Sequence, residues 1–289
     1  MKVALGTANF NSMYGVNNKK IDKEELKKII NYCLKNKIYY LDTADAYNNY
    51  KLIKSFDLKK FKIITKLSNP KKIKISNLKN HIINNLKNLL RNLNIKQIHG
   101  LLLHDVRQMK ANKLKVMIQI LKYLKKKKLV KKIGISSYKL KDLKIVKENN
   151  LDIIQFPLNV FDQRIIREKD IIYLKKRKIE LHVRSIFLQG LLLKKSEKIP
   201  NYFNTWKKEF LDFESFSKKL KMSKLELCTN FIKLQQIIEM VIVGVEDKKQ
   251  IQLICRQFNK KSHKIDYDLF AQRDNKLILP YTWKVNAKR

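Results

Sequence analysis

Four side chains able to bind or move a proton stand just behind short apolar runs of this chain: Asp42 and Tyr47 in LDTADAY, Lys66 in KIITK and His104 in GLLLH. Together they make a coherent proton donor. A tyrosine phenol titrates near ~10 and keeps its proton at neutral pH, while a neighbouring ammonium favours the phenolate and eases release of that proton. Lys66 supplies such a charge in this reading, and Asp42 holds Lys66 charged and oriented. His104 donates a hydrogen bond to a substrate oxygen on which negative charge develops. The reaction that suits the set is reduction of a carbonyl, with hydride arriving at carbon while Tyr47 protonates oxygen. Taken alone, Asp42 reads as a strand-end turn residue and Asp45 as a loop cap. The catalytic reading rests on the four residues jointly.

Convergence of this kind requires elements that all end on one face. Apolar runs at 3–5, 38–41, 62–65, 100–103, 133–135, 152–156, 179–183 and 240–243 alternate with amphipathic, lysine-rich stretches near 23–35, 77–93, 113–126, 139–148, 169–178, 224–238 and 247–258. That alternation predicts parallel strands joined by crossover helices. Eight repeats in roughly 250 residues favour an α/β fold of the closed (β/α)8 TIM barrel type over an open doubly wound sheet. Active sites of such barrels lie at the carboxyl ends of the strands. Those ends carry Asp42, Lys66, His104, Ser136, Ser137, Gln155, Arg184, Ser185 and Gly244, with Tyr47 on a loop able to bend back over the mouth. The irregular stretch is 191–222. Its Tyr202, Phe203 and Trp206 either pack under a loop with a short helix or form an apolar wall of the substrate pocket.

Composition narrows the alternatives. With 289 residues, 44% of them apolar, one barrel domain over 1–289 is expected. The formal charge of +40 points toward nucleic acid only if the cations cluster, and here lysines far outnumber arginines and spread from Lys2 to Lys288. Charged solvated faces are the expected reading, with no specific nucleic-acid partner. Cys33, Cys228 and Cys255 lack disulfide or metal spacing and read as reduced thiols of a cytoplasmic protein. No metal is expected. No apolar run approaches the ~18 residues of a membrane span, and the N-terminus does not read as a signal peptide.

Over nearly its whole length the sequence resembles the aldo-keto reductases. DTADAY is similar to the family's Asp-x-x-x-x-Tyr segment, ITKL to its lysine strand and LLLHD to its histidine strand, all in the family's order. LGTANF with the following YGV resembles a bacterial branch of the family linked to surface-sugar metabolism. The resemblance implies that Tyr47 is the general acid, that a nicotinamide cofactor supplies hydride and that the substrate is a small carbonyl compound. It also implies a cofactor site. KIGISSY resembles the segment whose Ser and Asn hold the nicotinamide carboxamide; Ser136 matches, while Ser137 stands where Asn is common. Gln155 matches the carboxamide-binding glutamine. VRSIFLQGLL, with Ser185, Leu188 and Gly190, is similar to the segment that wraps the pyrophosphate, and Arg184 falls where many members place a ring against the nicotinamide. VIVGVEDKKQI resembles the phosphate segment, in which the backbone of Gly244 and Val245 approaches phosphate ahead of a helix N-terminus. The basic side chain that many members use to grip a 2′-phosphate is absent at Gly244 and Gln250. Lys248 or Lys249 is its replacement in this reading, so the cofactor leans to NADPH, with NADH as the other choice.

Some readings stay open at this level. Gly6, Gly134, Gly190 and Gly244 either let backbone approach a ligand or serve turns. His81, His99 and His263 read as surface or edge residues, His182 as a satisfied buried histidine, and Tyr14 as a residue able to reach the pocket. Asn48 occupies a turn position where many relatives have glycine. A nicotinamide-binding barrel without turnover, acting as a regulatory or scaffold subunit, is the alternative to an enzyme, and a basic nucleic-acid binder is a third. The oligomeric state is open.

Overall fold

Why the strand-end residues meet follows from the two-residue period of a strand. The computed structural model describes residues 1–11 and 21–283, so Tyr14 lies outside the described residues. Eight strands, β1 (Lys2–Gly6), β2 (Tyr40–Asp42), β3 (Lys62–Leu67), β4 (Ile98–His104), β5 (Val130–Ser136), β6 (Ile153–Pro157), β7 (Glu180–Arg184) and β8 (Ile238–Gly244), pair in sequence order and close on themselves. Every pair is parallel. Ala4, Ile64, Leu102, Ile153 and Ile242, with the half-buried Tyr40, form the cluster inside the barrel. Two residues further along each strand stand Gly6, Lys66, His104, Gln155, Gly244 and Asp42. Each shares the inward parity of its predecessor and sits one layer nearer the carboxyl mouth.

The residues of opposite parity, among them Leu5, Leu41, Ile63, Leu101, Leu103 and Val183, face the helices in the larger core. Helix α1 (Lys23–Lys35) starts where the Asp22 side chain accepts from the Glu25 amide at 2.7 Å, and it buries Leu26, Ile29, Ile30 and Cys33 on one stripe. A single-turn helix, α2 (Tyr50–Ile53), follows β2. Helix α3 (Ile75–Leu93) buries Leu78, Ile82, Leu86 and Leu90 at four-residue spacing and stops at Asn94 in the left-handed region. Helices α4 (Ala111–Lys126), α5 (Leu143–Asn149) and α6 (Asp170–Lys176) follow β4, β5 and β6.

The 191–222 connection contains more helix than its sequence suggests: short 3₁₀ turns lead into α7 (Lys207–Lys219). Phe210 and Phe213 of that helix pack against Phe161 with ring centroids at 5.2 and 6.0 Å, and Phe203 meets Trp283 edge-on at 4.8 Å. Phe203 and Trp206 are buried in this aromatic layer and Tyr202 stacks beside them, so the three residues pack beneath the connection. Helix α8 (Lys224–Leu234) carries a complete capping box between Ser223 and Glu226. It ends before 238 because Ile238 pairs with Leu181 and opens β8. Helix α9 (Lys248–Asn259) packs on α1 and α8, and α10 (Asn275–Ile278) lies in the C-terminal segment.

Glycine serves more than one purpose. At Gly134 a Cβ would lie 2.1 Å from the Ile153 carbonyl oxygen, so this position answers to strand packing and not to a ligand. Gly190 has φ +87°, a turn conformation. At exposed Gly244 the backbone opens outward, with a single atom, Asn9 Oδ1, at 3.9 Å from a would-be Cβ, and at Gly190 nothing lies within 4 Å of one.

Candidate active site

The parity argument brings Asp42, Lys66 and Gln155 into one buried hydrogen-bonded unit. Lys66 Nζ donates to Asp42 Oδ1 at 2.5 Å and to the Thr43 carbonyl at 2.9 Å, and Gln155 Nε2 donates to Asp42 Oδ2 at 2.8 Å. Lys66 and Asp42 are 1% and 3% exposed. The carboxylate therefore offsets the cost of burying an ammonium. Burial pulls the Lys66 ammonium below its ordinary pKa, and Asp42 pulls it back up.

Tyr47 reaches this unit from a 3₁₀ turn, Asp45–Tyr47. The turn is pinned from both sides. Asp45 accepts from the Ser68 amide and hydroxyl at 2.9 and 2.5 Å. Behind Tyr47, Asn48 takes φ 47°, a left-handed conformation that asparagine tolerates, so glycine is not required there. Asn49 is buried and ties the turn to the first strand loop, donating to the Thr7 carbonyl at 2.7 Å and accepting from Thr43 Oγ1 at 3.0 Å. The Tyr47 ring meets His104 edge-on at 6.0 Å, and Lys66 Nζ lies 5.4 Å from its centroid.

The expected pKa relation between Lys66 and Tyr47 is not what this geometry produces. Burial first, then the Asp42 charge, push the Tyr47 phenol above its ordinary value, and the cation that pulls it down is Arg184. The Lys66 ammonium is engaged by Asp42 and the Thr43 carbonyl. His104 is pushed down to about 4 by burial, with Lys66 and Arg184 adding to the effect. At neutral pH the site thus holds a protonated phenol beside a neutral imidazole.

That imidazole has a consequence for stability. His99, also half-buried, is likewise pushed down to about 4 from 6.5. Between those values the unfolded chain binds more protons than the folded one, so unfolding free energy falls as pH drops from 6.5 toward 4. The depressed carboxylates Glu180, Glu214 and Glu226, at about 2, act in the same direction only below their ordinary 4.5. Urea midpoints at several pH values above 4.5 should decline steadily with acidity, and His104→Asn should flatten that slope.

A cavity of about 440 Å³ opens beside Tyr47. Among the expected site residues it is walled by Asp42, Tyr47, Arg184, Ser185, Gly190 and Gly244. Lys66 and Gln155 adjoin it through Asp42, His104 through Tyr47. Ser136 is buried and in register with His104 and Gln155. Four expected residues turn elsewhere. The Ser137 hydroxyl is engaged by Asp142 and the Lys139 amide. Leu188 is fully buried, Val245 is buried and gives its carbonyl to Asn9, and Lys248 is exposed with its amide donated to Glu25.

Several wall residues carried no signal in the linear sequence. Asn9, Glu246, Lys194 and Leu253 join the cavity only through folding. A further feature is a stack of cations and rings at the mouth: the Arg184 guanidinium lies 4.1 Å over Tyr138, and Arg107 lies 3.6 Å over Tyr281 and 4.9 Å from Tyr138. Arg184 also donates to the Ser137 carbonyl at 3.3 Å. A charged plane thus stands at position 184, as the residue type there implies.

The cavity fits a nicotinamide dinucleotide on three counts. Gln155 Oε1 and Asn9 Oδ1 are buried acceptors without a partner among the described residues. Gly244 leaves backbone open toward the space. Ser185, Leu188, Gln189 and Gly190 all have positive φ, a curled backbone that wraps along one side of the cavity, where Ser185, Gln189 and Gly190 are wall residues. Among the described residues no cluster of His, Cys, Asp or Glu could hold a metal, and no helix is long and apolar enough to cross a membrane.

Known proteins share this fold. An aldo-keto reductase from Bacillus halodurans, solved in its holo form, superposes with a TM-score of 0.69 at 18% identity, covering 93% of this chain and 90% of that one. A glycerol dehydrogenase from Gluconobacter oxydans superposes with a TM-score of 0.70 at 19% identity, covering 91% and 87%. At such identities the likeness is one of fold. No curated protein matches by sequence. The sequence model of the aldo/keto reductase family, however, matches residues 2–274. The chain belongs to the aldo/keto reductase family and is an oxidoreductase that works on carbonyl compounds with a nicotinamide cofactor.

Proposed function

We propose that Tyr47 is the general acid of a carbonyl reduction in which His104 orients the substrate oxygen and the Lys66–Asp42 pair holds the charge balance beneath them. The observation that carries this reading is the buried unit Gln155–Asp42–Lys66 directly beside a cavity walled by Tyr47. A reduced nicotinamide, when bound, supplies the hydride to the carbonyl carbon. Ser136 and Gln155 hold its carboxamide, Gln155 through an acceptor that has no partner among the described residues. Arg184 and Ser185 wall the inner part of the cavity, and the 185–190 backbone with Gly244 follows the phosphates.

The proton moves from the Tyr47 phenol to the carbonyl oxygen as the alcohol forms, and the phenolate left behind is stabilised by the Arg184 cation before solvent returns its proton. A neutral His104 donates one N–H to the same oxygen and accepts nothing from it. The phenol is protonated at neutral pH and so begins each reductive turnover as a proton donor. The substrate is a small aldehyde or ketone, and the protein works in the cytoplasm. Purified protein should oxidise NADH or NADPH when offered a panel of aldehydes and ketones, followed by the loss of nicotinamide absorbance. Tight cofactor binding with no turnover on any of them would count against the reading.

A further inference from the structure

A dinucleotide whose nicotinamide lies at Tyr47 extends along the cavity toward α9, where the walls are Asn9, Glu246, Gln250, Leu253 and Ile254. The polar atoms at that end are mostly acceptors. Asn9 is 5% exposed; it donates Nδ2 to the Val245 carbonyl at 2.6 Å and leaves Oδ1 without a partner among the described residues. Oδ1 is also the atom nearest the open face of Gly244. Glu246 adds a carboxylate to the same wall.

Two of the amides that this helix start could offer an anion, and one just ahead of it, are already engaged. The Lys248 amide donates to Glu25 Oε1 at 2.7 Å, the Gln250 amide to Asp247 Oδ1 at 2.7 Å, and the Glu246 amide to Gln250 Oε1 at 2.9 Å. Two of these three amides therefore face the chain's own carboxylates. Lys248 and Lys249 have exposed side chains outside the cavity wall.

A ribose 2′-hydroxyl brings a donor to such acceptors; a 2′-phosphate brings only acceptor oxygens and negative charge. Resting on the reading of this cavity as the dinucleotide site, we propose that its α9 end is built for an unesterified ribose, that NADH is preferred over NADPH, and that Glu246 is the residue that decides. This reverses the lean toward NADPH that the lysines of the linear sequence suggest. Lys194, on the opposite segment of the wall, remains available to the pyrophosphate, which both dinucleotides share.

The test is a fluorescence titration of the full chain with NADH and with NADPH, read through Trp206 and Trp283. NADH should bind tighter by about tenfold or more, the size expected when a like charge rejects the wrong ligand. Glu246→Gln should narrow the ratio, and Glu246→Lys should invert it. NADPH binding as tightly as NADH in the unaltered protein would overturn the inference while leaving the dinucleotide site intact. A ratio unmoved by both substitutions would remove Glu246 from the role. Failure of both dinucleotides to bind would overturn the reading of the cavity, and the inference with it.

Discussion

Tyr47→Phe should lower kcat for carbonyl reduction by about a thousandfold while leaving the dissociation constant of the reduced cofactor nearly unchanged. The magnitude is that of removing a positioned general acid. The substitution deletes one oxygen and keeps the ring that meets His104 edge-on, so neither the 3₁₀ turn nor the cavity wall should move. Among the described residues no buried donor or acceptor is stranded, since Tyr47 meets them through its ring and backbone. Steady-state rates with the best substrate of the panel, paired with cofactor titrations, measure both halves. Retention of near-normal turnover would end the assignment of Tyr47 as the acid.

Lys66→Met should be damaging in two separable ways. It removes the ammonium from a site that is 1% exposed and leaves Asp42 facing only Gln155, an uncompensated buried carboxylate. Breaking a buried pair from one side costs about 3–5 kcal/mol, so a large fall in the urea midpoint is expected together with loss of turnover. The double variant Lys66→Met/Asp42→Asn distinguishes the two effects. An amide at position 42 can still accept from Gln155, so stability should largely return while activity does not. A Lys66→Met protein as stable as the parent would mean that water solvates the carboxylate, contrary to the burial of this layer.

The four residues proposed to handle the proton were legible in the linear sequence because each member is tied to a local pattern. Asp42, Lys66 and His104 directly end or close apolar runs, and strand parity then dictates that they face the barrel interior. Tyr47 follows at a distance that a single turn can span. The helices were legible for the same reason: Leu78, Ile82, Leu86 and Leu90 recur at a spacing that only a helix turns to one side. Helix α7 was less visible, since the reading of its connection rested on Tyr202, Phe203 and Trp206, and its Phe210 and Phe213 gain their meaning only from Phe161 and Phe270 packed against them.

What the sequence determined by itself was therefore the barrel, the order of its strands and the set of proton-handling residues, all of which follow from short-range periodicity. The tertiary structure alone decided how those groups are charged and what surrounds them. It set the Tyr47 phenol high, because burial and the Asp42 charge outweigh the Arg184 cation, and neither can be counted along the chain. It turned the Ser137 hydroxyl into its own loop, stacked Arg184 on Tyr138 and gathered Asn9, Glu246 and Gln250 around one end of the cavity. Asn9 and Glu246 lie far apart in sequence and meet only because β1 and β8 close the barrel. Electrostatics depends on distances through space, and those exist only after the sheet has closed.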